Sequence, residues 1–260
     1  MSGLLENKVA LVVGAGRHPG LGIAQRFARE GAKLLLIDRD ERALKAHAGT
    51  LGASVFVAAP GDKRALLGAI AEAIAVHGRV DILVNAAAEA PRWQRLEAMD
   101  DADYDAAFAQ GFSAARWAML AVQPSMREQG GGRILNLGSV YGENVAEYIG
   151  AYAAAAEALR ALTRTAAQEW GADGILVNVL MASVDDERFR DYAQRHAEHV
   201  ERSLPLVALQ RFGDPVEDIG GAAVMLAGED GRYITGSTIH ADGGYHMAGP
   251  VYVPILETIP

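Results

Sequence analysis

Two hydroxyl-bearing residues, Ser139 and Tyr152, stand thirteen positions apart, the serine after an apolar run and the tyrosine where an alanine-rich stretch opens. Their hydroxyls could form a small polar site for an oxygen-bearing ligand. Nearer the N-terminus, Gly14, Gly16, Gly20 and Gly22 follow the apolar run 9–13 and lead into a helical pattern. Glycines in that context allow a tight turn and let a phosphate approach backbone N–H groups at a helix N-terminus. The plainer reading is a close-packed strand-to-helix turn. Asp38 ends the second apolar run. An acid there can accept both ribose hydroxyls of an adenosine and repel a 2′-phosphate, which points to NAD rather than NADP. It could equally be a solvated loop acid beside Arg39, Asp40 and Glu41. His196 and His199, with Glu198 and Glu201, have a spacing close to that of a metal helix. Alternating charge over 185–202 favours a solvated helix over a cleft instead.

The elements that must position these residues are legible from the pattern. Apolar runs lie at 9–13, 34–37, 54–57, 80–84, 133–137, 175–179 and 238–241. They do not alternate strictly, as befits strands buried on both faces of a parallel sheet. Helical stretches fall between them at 21–30, 63–77, 101–129, 150–170 and 216–227, and Asp62 is placed as an N-cap. Strand and helix alternate throughout, which predicts a doubly wound α/β sheet with seven strands and helices on both faces. No linker or internal repeat divides the chain, so 1–260 reads as one domain. Its tail, 244–260, contains Pro250, Pro254 and Pro260 and is expected to be irregular, on the surface or on a neighbouring subunit.

Composition narrows the function. The 260 residues are half hydrophobic and carry a net charge of −9 spread along the chain. Such a balance argues against nucleic acid or an anionic membrane as partner and suits a cytoplasmic protein. With no cysteine there is no disulfide, thiolate metal site or cysteine nucleophile. Residues 1–8 are polar, so no signal peptide is expected. No window is apolar for long enough to span a bilayer.

Read together, these stretches resemble the short-chain dehydrogenase/reductase family over essentially the whole chain. Residues 81–88 resemble its fourth strand and Asn-Asn-Ala-Gly turn, with Asn85 at the first asparagine. Residues 132–139 resemble its fifth strand and serine. Tyr152 is placed as its tyrosine, and 211–215 and 234–244 resemble its C-terminal signatures. The resemblance implies a Rossmann-like fold, a bound NAD and a proton relay acting on a small-molecule substrate. In that relay the tyrosine is the acid/base and the serine orients the substrate oxygen. A lysine four residues after the tyrosine lowers its pKa and binds the nicotinamide ribose. An asparagine in the preceding long helix holds a water.

This sequence departs from that pattern at the chemistry. The lysine position is Ala156, and counting back from Pro124 and Met126 puts the asparagine position at Gly111. Ala86 and Ala88 stand in the turn where asparagine and glycine are usual, and Ala59 stands where an aspartate meets the adenine. Residues 178–183 lack the Pro-Gly that shapes the nicotinamide pocket, and the glycine loop is about two residues longer than usual. A tyrosine near its ordinary pKa of about 10 is under ~1% ionised at neutral pH, whereas a general base should titrate near the operating pH. Arg160, two turns on, is the nearest cation along the same stretch.

The resemblance therefore implies a degenerate subunit that has kept Ser139 and Tyr152 and lost the lysine and asparagine. Family members form dimers or tetramers. The alanine-rich faces of 106–121 and 153–167 suit close packing between subunits, either as a homo-oligomer or with an intact family member. One such mixed pair in the family oxidises a 2-[hydroxy(phenyl)methyl]succinyl-CoA. Two alternatives are an NAD-dependent oxidoreductase acting on an alcohol or hydroxyacyl substrate through a rebuilt relay, and a non-redox lyase or ligand binder. No metal is expected in any of them. Relatives that carry out non-redox elimination pair the serine and tyrosine with an arginine at the fourth position, which is alanine here.

Overall fold

A computed structural model describes residues 3–87, 92–144 and 147–248. Seven strands form one parallel sheet: β1 (Val9–Val13), β2 (Lys33–Asp38), β3 (Ser54–Val57), β4 (Ile82–Asn85), β5 (Gly132–Gly138), β6 (Ile175–Ala182) and β7 (Thr238–Ala241). Their order is β3-β2-β1-β4-β5-β6-β7. Val9 pairs with Lys33 at one edge of β1 and Ala10 with Ile82 at the other. β1 and β4 are buried along their whole length, which explains why neither alternates polar and apolar residues.

Among the described residues there are ten α-helices: α1 (Gly20–Arg29), α2 (Glu41–Leu51), α3 (Lys63–His77), α4 (Asp101–Phe108), α5 (Ala114–Glu128), α6 (Val140–Glu143), α7 (Gly150–Trp170), α8 (Glu187–Arg195), α9 (Ala197–Ser203) and α10 (Gly220–Ala227). One core layer packs Leu66, Ile70, Met119 and Ala166 of α3, α5 and α7 under the sheet. The other packs Ile23, Phe27, Leu44 and Val224 of α1, α2 and α10 above it. Strand order reverses direction between β1 and β4, and in such sheets ligands bind at the carboxyl ends of the strands flanking that point.

Local chemistry sets several element ends. Asp62 accepts from the amides of Arg64 and Ala65 (2.9 and 3.1 Å) and so starts α3. Asp100 and Asp103 make a reciprocal capping box on α4. Between α4 and α5 the helix widens into a π turn, Ala109–Ser113, with Gly111 at its centre. Such turns are frequent at functional sites. A buried polar ladder then ties β4, β5 and α7 together. Asn85 Nδ2 donates to Asn136 Oδ1 (2.8 Å), Asn136 Nδ2 to Thr163 Oγ1 (2.9 Å), and Thr163 Oγ1 to Leu159 O (2.9 Å).

Four expectations are corrected. The run after Asp38 is no solvated loop, because the Asp40 side chain accepts from Ala43 N and caps α2. The charged stretch 185–202 is two helices, not one, broken at His196; the His199 side chain lies outside the described residues. The start of the tail is ordered, since Tyr245–Ala248 forms a 3₁₀ turn with Tyr245 buried against Val179, Met181 and Val207. Residues 249–260 and Ala88 lie outside the described residues. Finally, many of the alanines expected at a subunit contact pack inside the chain. Ala114, Ala115, Ala118, Ala155, Ala166 and Ala167 are buried, where small side chains let α5 and α7 approach the sheet and each other.

The Asn136 ladder yields a stability prediction. Asn136→Ala leaves Asn85 Nδ2 and the Thr163 hydroxyl with one partner fewer in a buried setting, at a cost of about 2–4 kcal/mol. Urea unfolding of the variant against the parent checks this. A loss below about 1 kcal/mol would show that the ladder does not hold β4 to α7.

Candidate functional site

The glycine loop closes over the end of β1. Gly14 has φ +86°, and a Cβ there would sit 2.5 Å from Ala87 N. A Cβ on Gly20 would meet Gly14 O at 2.2 Å, so both positions require glycine sterically. Gly22 is different, because its backbone packs on Pro215 rather than facing the cleft. No side chain caps the N-terminus of α1. Asp38 sits across the loop, where Oδ2 accepts from Gly16 N (2.9 Å) and Oδ1 from Asp40 N (3.0 Å). Each carboxylate oxygen has a second lone pair for a ligand hydroxyl.

Gly14, Asp38 and Asp40 line a cleft of about 390 Å³ that also receives Arg17, His18, Arg39, Gln110 and Arg188. Cationic groups beside backbone amides at a helix N-terminus suit a phosphate-bearing ligand. His18 reaches across to α8, its Nε2 lying 3.4 Å from Glu187 Oε1. Its Nδ1 is buried with no protein partner. Burial lowers the His18 pKa, with Glu187 and Asp186 opposing that shift. The added loop residues thus tie the glycine loop to the helix lying over the cleft.

The second part of the site lies at the ends of β4 and β5. Ser139 precedes α6, and its Oγ accepts from Tyr141 N (3.2 Å). Tyr152, in the first turn of α7, lines the same cavity as Ser139. Burial raises the Tyr152 pKa above the ordinary tyrosine value, while Ser139 and the charge of Arg188 pull it down by less. Tyr141 is likewise raised by burial. Its ring meets Trp93 edge-on at 6.0 Å, and Phe212 contacts the rings of Phe189 and Tyr245 in a second aromatic group.

Beside the hydroxyl pair lies a cavity of about 310 Å³ between α4 and α7. Ala156, one turn after Tyr152 on the same helix face, lines it, as do Gly111, Asn85, Ala87 and Ala155. A Cβ on Gly111 would make only an ordinary 3.5 Å contact with Ala155, so sterics do not demand a glycine there. Among the described residues no lysine lines this cavity. Arg92, in its wall, is paired with Asp103 at 2.7 Å. Arg160 does not line the cavity; it is held by Glu157 at 2.5 Å and faces Glu143 at 3.6 Å. Asn85 opens into this cavity rather than the glycine-loop cleft, and its Oδ1 is buried without a protein partner.

The residues singled out in the sequence are therefore brought together in two adjoining sites. Gly14 and Asp38 line one and Gly16 borders it through its bond to Asp38, while Ser139, Tyr152, Asn85, Gly111 and Ala156 line the other. Gln110 belongs to both. Sequence reasoning missed Gln110, Arg188 and the His18–Glu187 contact. Nothing local marks Arg188, which is one charge in a charged helix until α8 folds over the cleft. Among the described residues no cluster of three or more histidines and acids could hold a metal ion. No helix among them is long and apolar enough to cross a membrane.

Comparison with known proteins agrees with this layout. The family model described as enoyl-(acyl carrier protein) reductase matches residues 14–246. Galactitol 2-dehydrogenase (L-tagatose-forming) of Cereibacter sphaeroides is 38% identical over 246 residues, covering 93% of this chain and 96% of that protein. The (2S)-[(R)-hydroxy(phenyl)methyl]succinyl-CoA dehydrogenase subunit BbsC of Thauera aromatica is 34% identical over 250 residues, covering 92% and 94%. The crystal structure of a candidate short-chain alcohol dehydrogenase from Sinorhizobium meliloti 1021 superposes with a TM-score of 0.87 at 30% identity, covering 93% of this chain and 97% of that one. With the parallel sheet, the glycine loop and the Ser139–Tyr152 pair in the same order along the chain, these matches establish that the protein belongs to the short-chain dehydrogenase/reductase family.

Proposed function

We propose that this chain is a relay-deficient member of its family that serves as the partner subunit of an intact dehydrogenase in a mixed oligomer. The observation that carries this reading is the alanine at position 156. Its methyl group faces the same cavity as Tyr152, where a cation would have to stand to stabilise a phenolate. Burial then dominates, and it favours the neutral phenol. Tyr152 can still donate a hydrogen bond to a substrate oxygen, but it is a poor base. Proton transfer by a positioned group contributes typically 10²–10⁴-fold to a rate, and that is the range forfeited here.

The nucleotide cleft supports retained binding better than retained chemistry. Gly14 and Gly16 would let the phosphates of NAD approach the backbone, and Asp38 would take its adenosine ribose hydroxyls. Bound NAD supplies hydride transfer. The nicotinamide ribose would find Ala156 where a donor is needed. The apolar wall of Ala107, Ala114, Ala151 and Leu159 suits a small substrate with an apolar face.

A second reading is favoured by one observation. Ser139 and Tyr152 line one cavity and Arg188 exerts a positive charge on Tyr152, so an oxidoreductase with its cation supplied from α8 is chemically coherent. Relatives such as galactitol 2-dehydrogenase (L-tagatose-forming) are named as dehydrogenases.

Turnover separates the two. The purified chain alone is expected to oxidise secondary alcohols with NAD on the order of 10²–10⁴ times more slowly than an intact family member, and Tyr152→Phe should leave the activity of the mixed oligomer unchanged. Ordinary rates from the chain alone, abolished by Tyr152→Phe, would overturn the first reading in favour of the second. Fluorescence titration tests the cofactor. NADH should saturate the isolated chain and NADPH should bind at least about tenfold more weakly, because Asp38 repels a 2′-phosphate. Equal affinities would remove Asp38 from the site.

A further inference from the structure

The glycine-loop cleft has two sides of different chemistry. On one side Gly14 and Arg17 offer backbone amides and a cation at the start of α1, which suits a phosphate. On the other the wall is Pro60 and Gln110. Asp38 lies between them, its side chain accepting from Gly16 N (2.9 Å) and its carbonyl from Ala58 N (3.0 Å). From Ala58 the chain turns through Ala59 and Pro60 to Gly61, and none of these four residues has a side-chain donor or acceptor. Gln110 leans on that turn from the π turn between α4 and α5. A Cβ on Gly61 would lie only 3.2 Å from Gln110 Cγ, so the glycine makes room for the glutamine. Gln110 is partly exposed, and its carboxamide makes no hydrogen bond to a described residue.

We propose that Gln110 reads the nucleobase of the bound dinucleotide, its carboxamide accepting from the 6-amino group of adenine and donating to the adjacent ring nitrogen. This rests on the reading that nucleotide binding is kept. A nucleotide fixes the order of its own parts. With phosphate at the glycine loop and ribose hydroxyls at Asp38, the base leaves the sugar on the side away from the phosphate, toward Pro60 and Gln110. A carboxamide carries an acceptor and a donor side by side, which is the complement of the donor and acceptor that adenine presents along one edge. The turn from Ala58 to Gly61 can offer the base only contact, so the polar part of base recognition falls to Gln110. The residue is thus a specificity-determining contact to the cofactor, contributed by the π turn and not by the loop beside Asp38.

Isothermal titration calorimetry of the purified full chain tests this with two probes, NAD and nicotinamide 1,N6-ethenoadenine dinucleotide, whose etheno bridge removes the 6-amino donors. The parent is expected to bind the etheno analogue about tenfold more weakly than NAD, in keeping with the loss of a neutral hydrogen-bonded pair. Gln110→Met keeps the length of the side chain and removes its amide. It should weaken NAD about tenfold and leave the analogue unchanged, so that the two bind alike. Gln110→Leu takes its place if the methionine variant does not fold. Equal binding of both probes by the parent would overturn the proposal, and so would a folded variant that weakens both alike or neither. A parent that binds neither probe would overturn the retained nucleotide cleft together with this proposal. A parent that binds NAD, beside a variant that binds it equally well, would sink the proposal alone. The readout is affinity and not turnover, so its outcome is separate from whether the chain works alone or as a partner subunit.

Discussion

Ser139 and Tyr152 face one alanine-walled cavity, and their placement there depends on the elements around it. α7 must begin where it does to deliver the phenol, and β5 must end at Gly138 to deliver the serine. The polar ladder from Asn85 through Asn136 to Thr163 holds those two elements in register with β4. What decides the chemistry is the balance of terms at the phenol. Desolvation favours its neutral form, and Ser139 and the charge of Arg188 offset only part of that. Ala156 adds nothing electrostatic, since a methyl group can neither donate nor carry charge.

The two halves of the site differ in how tightly they are packed. The glycine loop is sterically committed, because Gly14 and Gly20 leave no room for a side chain. The relay cavity shows the opposite. Gly111 has ordinary space around it, and the cavity's volume is left open by small residues instead of being packed shut. The longer glycine loop adds a feature of its own, for His18 meets Glu187 and couples the loop to α8.

Much of this was legible in the sequence, for identifiable reasons. All seven strands showed as apolar runs because a parallel sheet covered on both faces must be continuous in hydrophobicity. Asp62 announced α3 because a side-chain oxygen is the cheapest partner for unsatisfied helix amides. Tyr152, Ala156 and Gly111 could be grouped from their spacing along helical stretches, and they line one cavity. What stayed hidden depends on contacts between distant segments. α2 was masked by the acids that cap it. Alanine faces read as a subunit contact turned out to be the inner packing of α5 and α7. Arg188, Gln110 and the burial of Tyr245 become meaningful only after α8 and the C-terminal turn fold back over the sheet.

The central claim is that Tyr152 stays protonated because no cation stands beside it. Selective 13Cζ-tyrosine labelling of the purified chain, with Tyr152→Phe to assign the signal, measures this directly as pH is raised from about 6 to about 11. The account predicts that the Tyr152 resonance holds its neutral-phenol shift until pH passes about 10, later than the exposed tyrosines. Ionisation of Tyr152 near neutral pH would contradict it, and would mean that the buried phenol has found a cation other than the missing lysine.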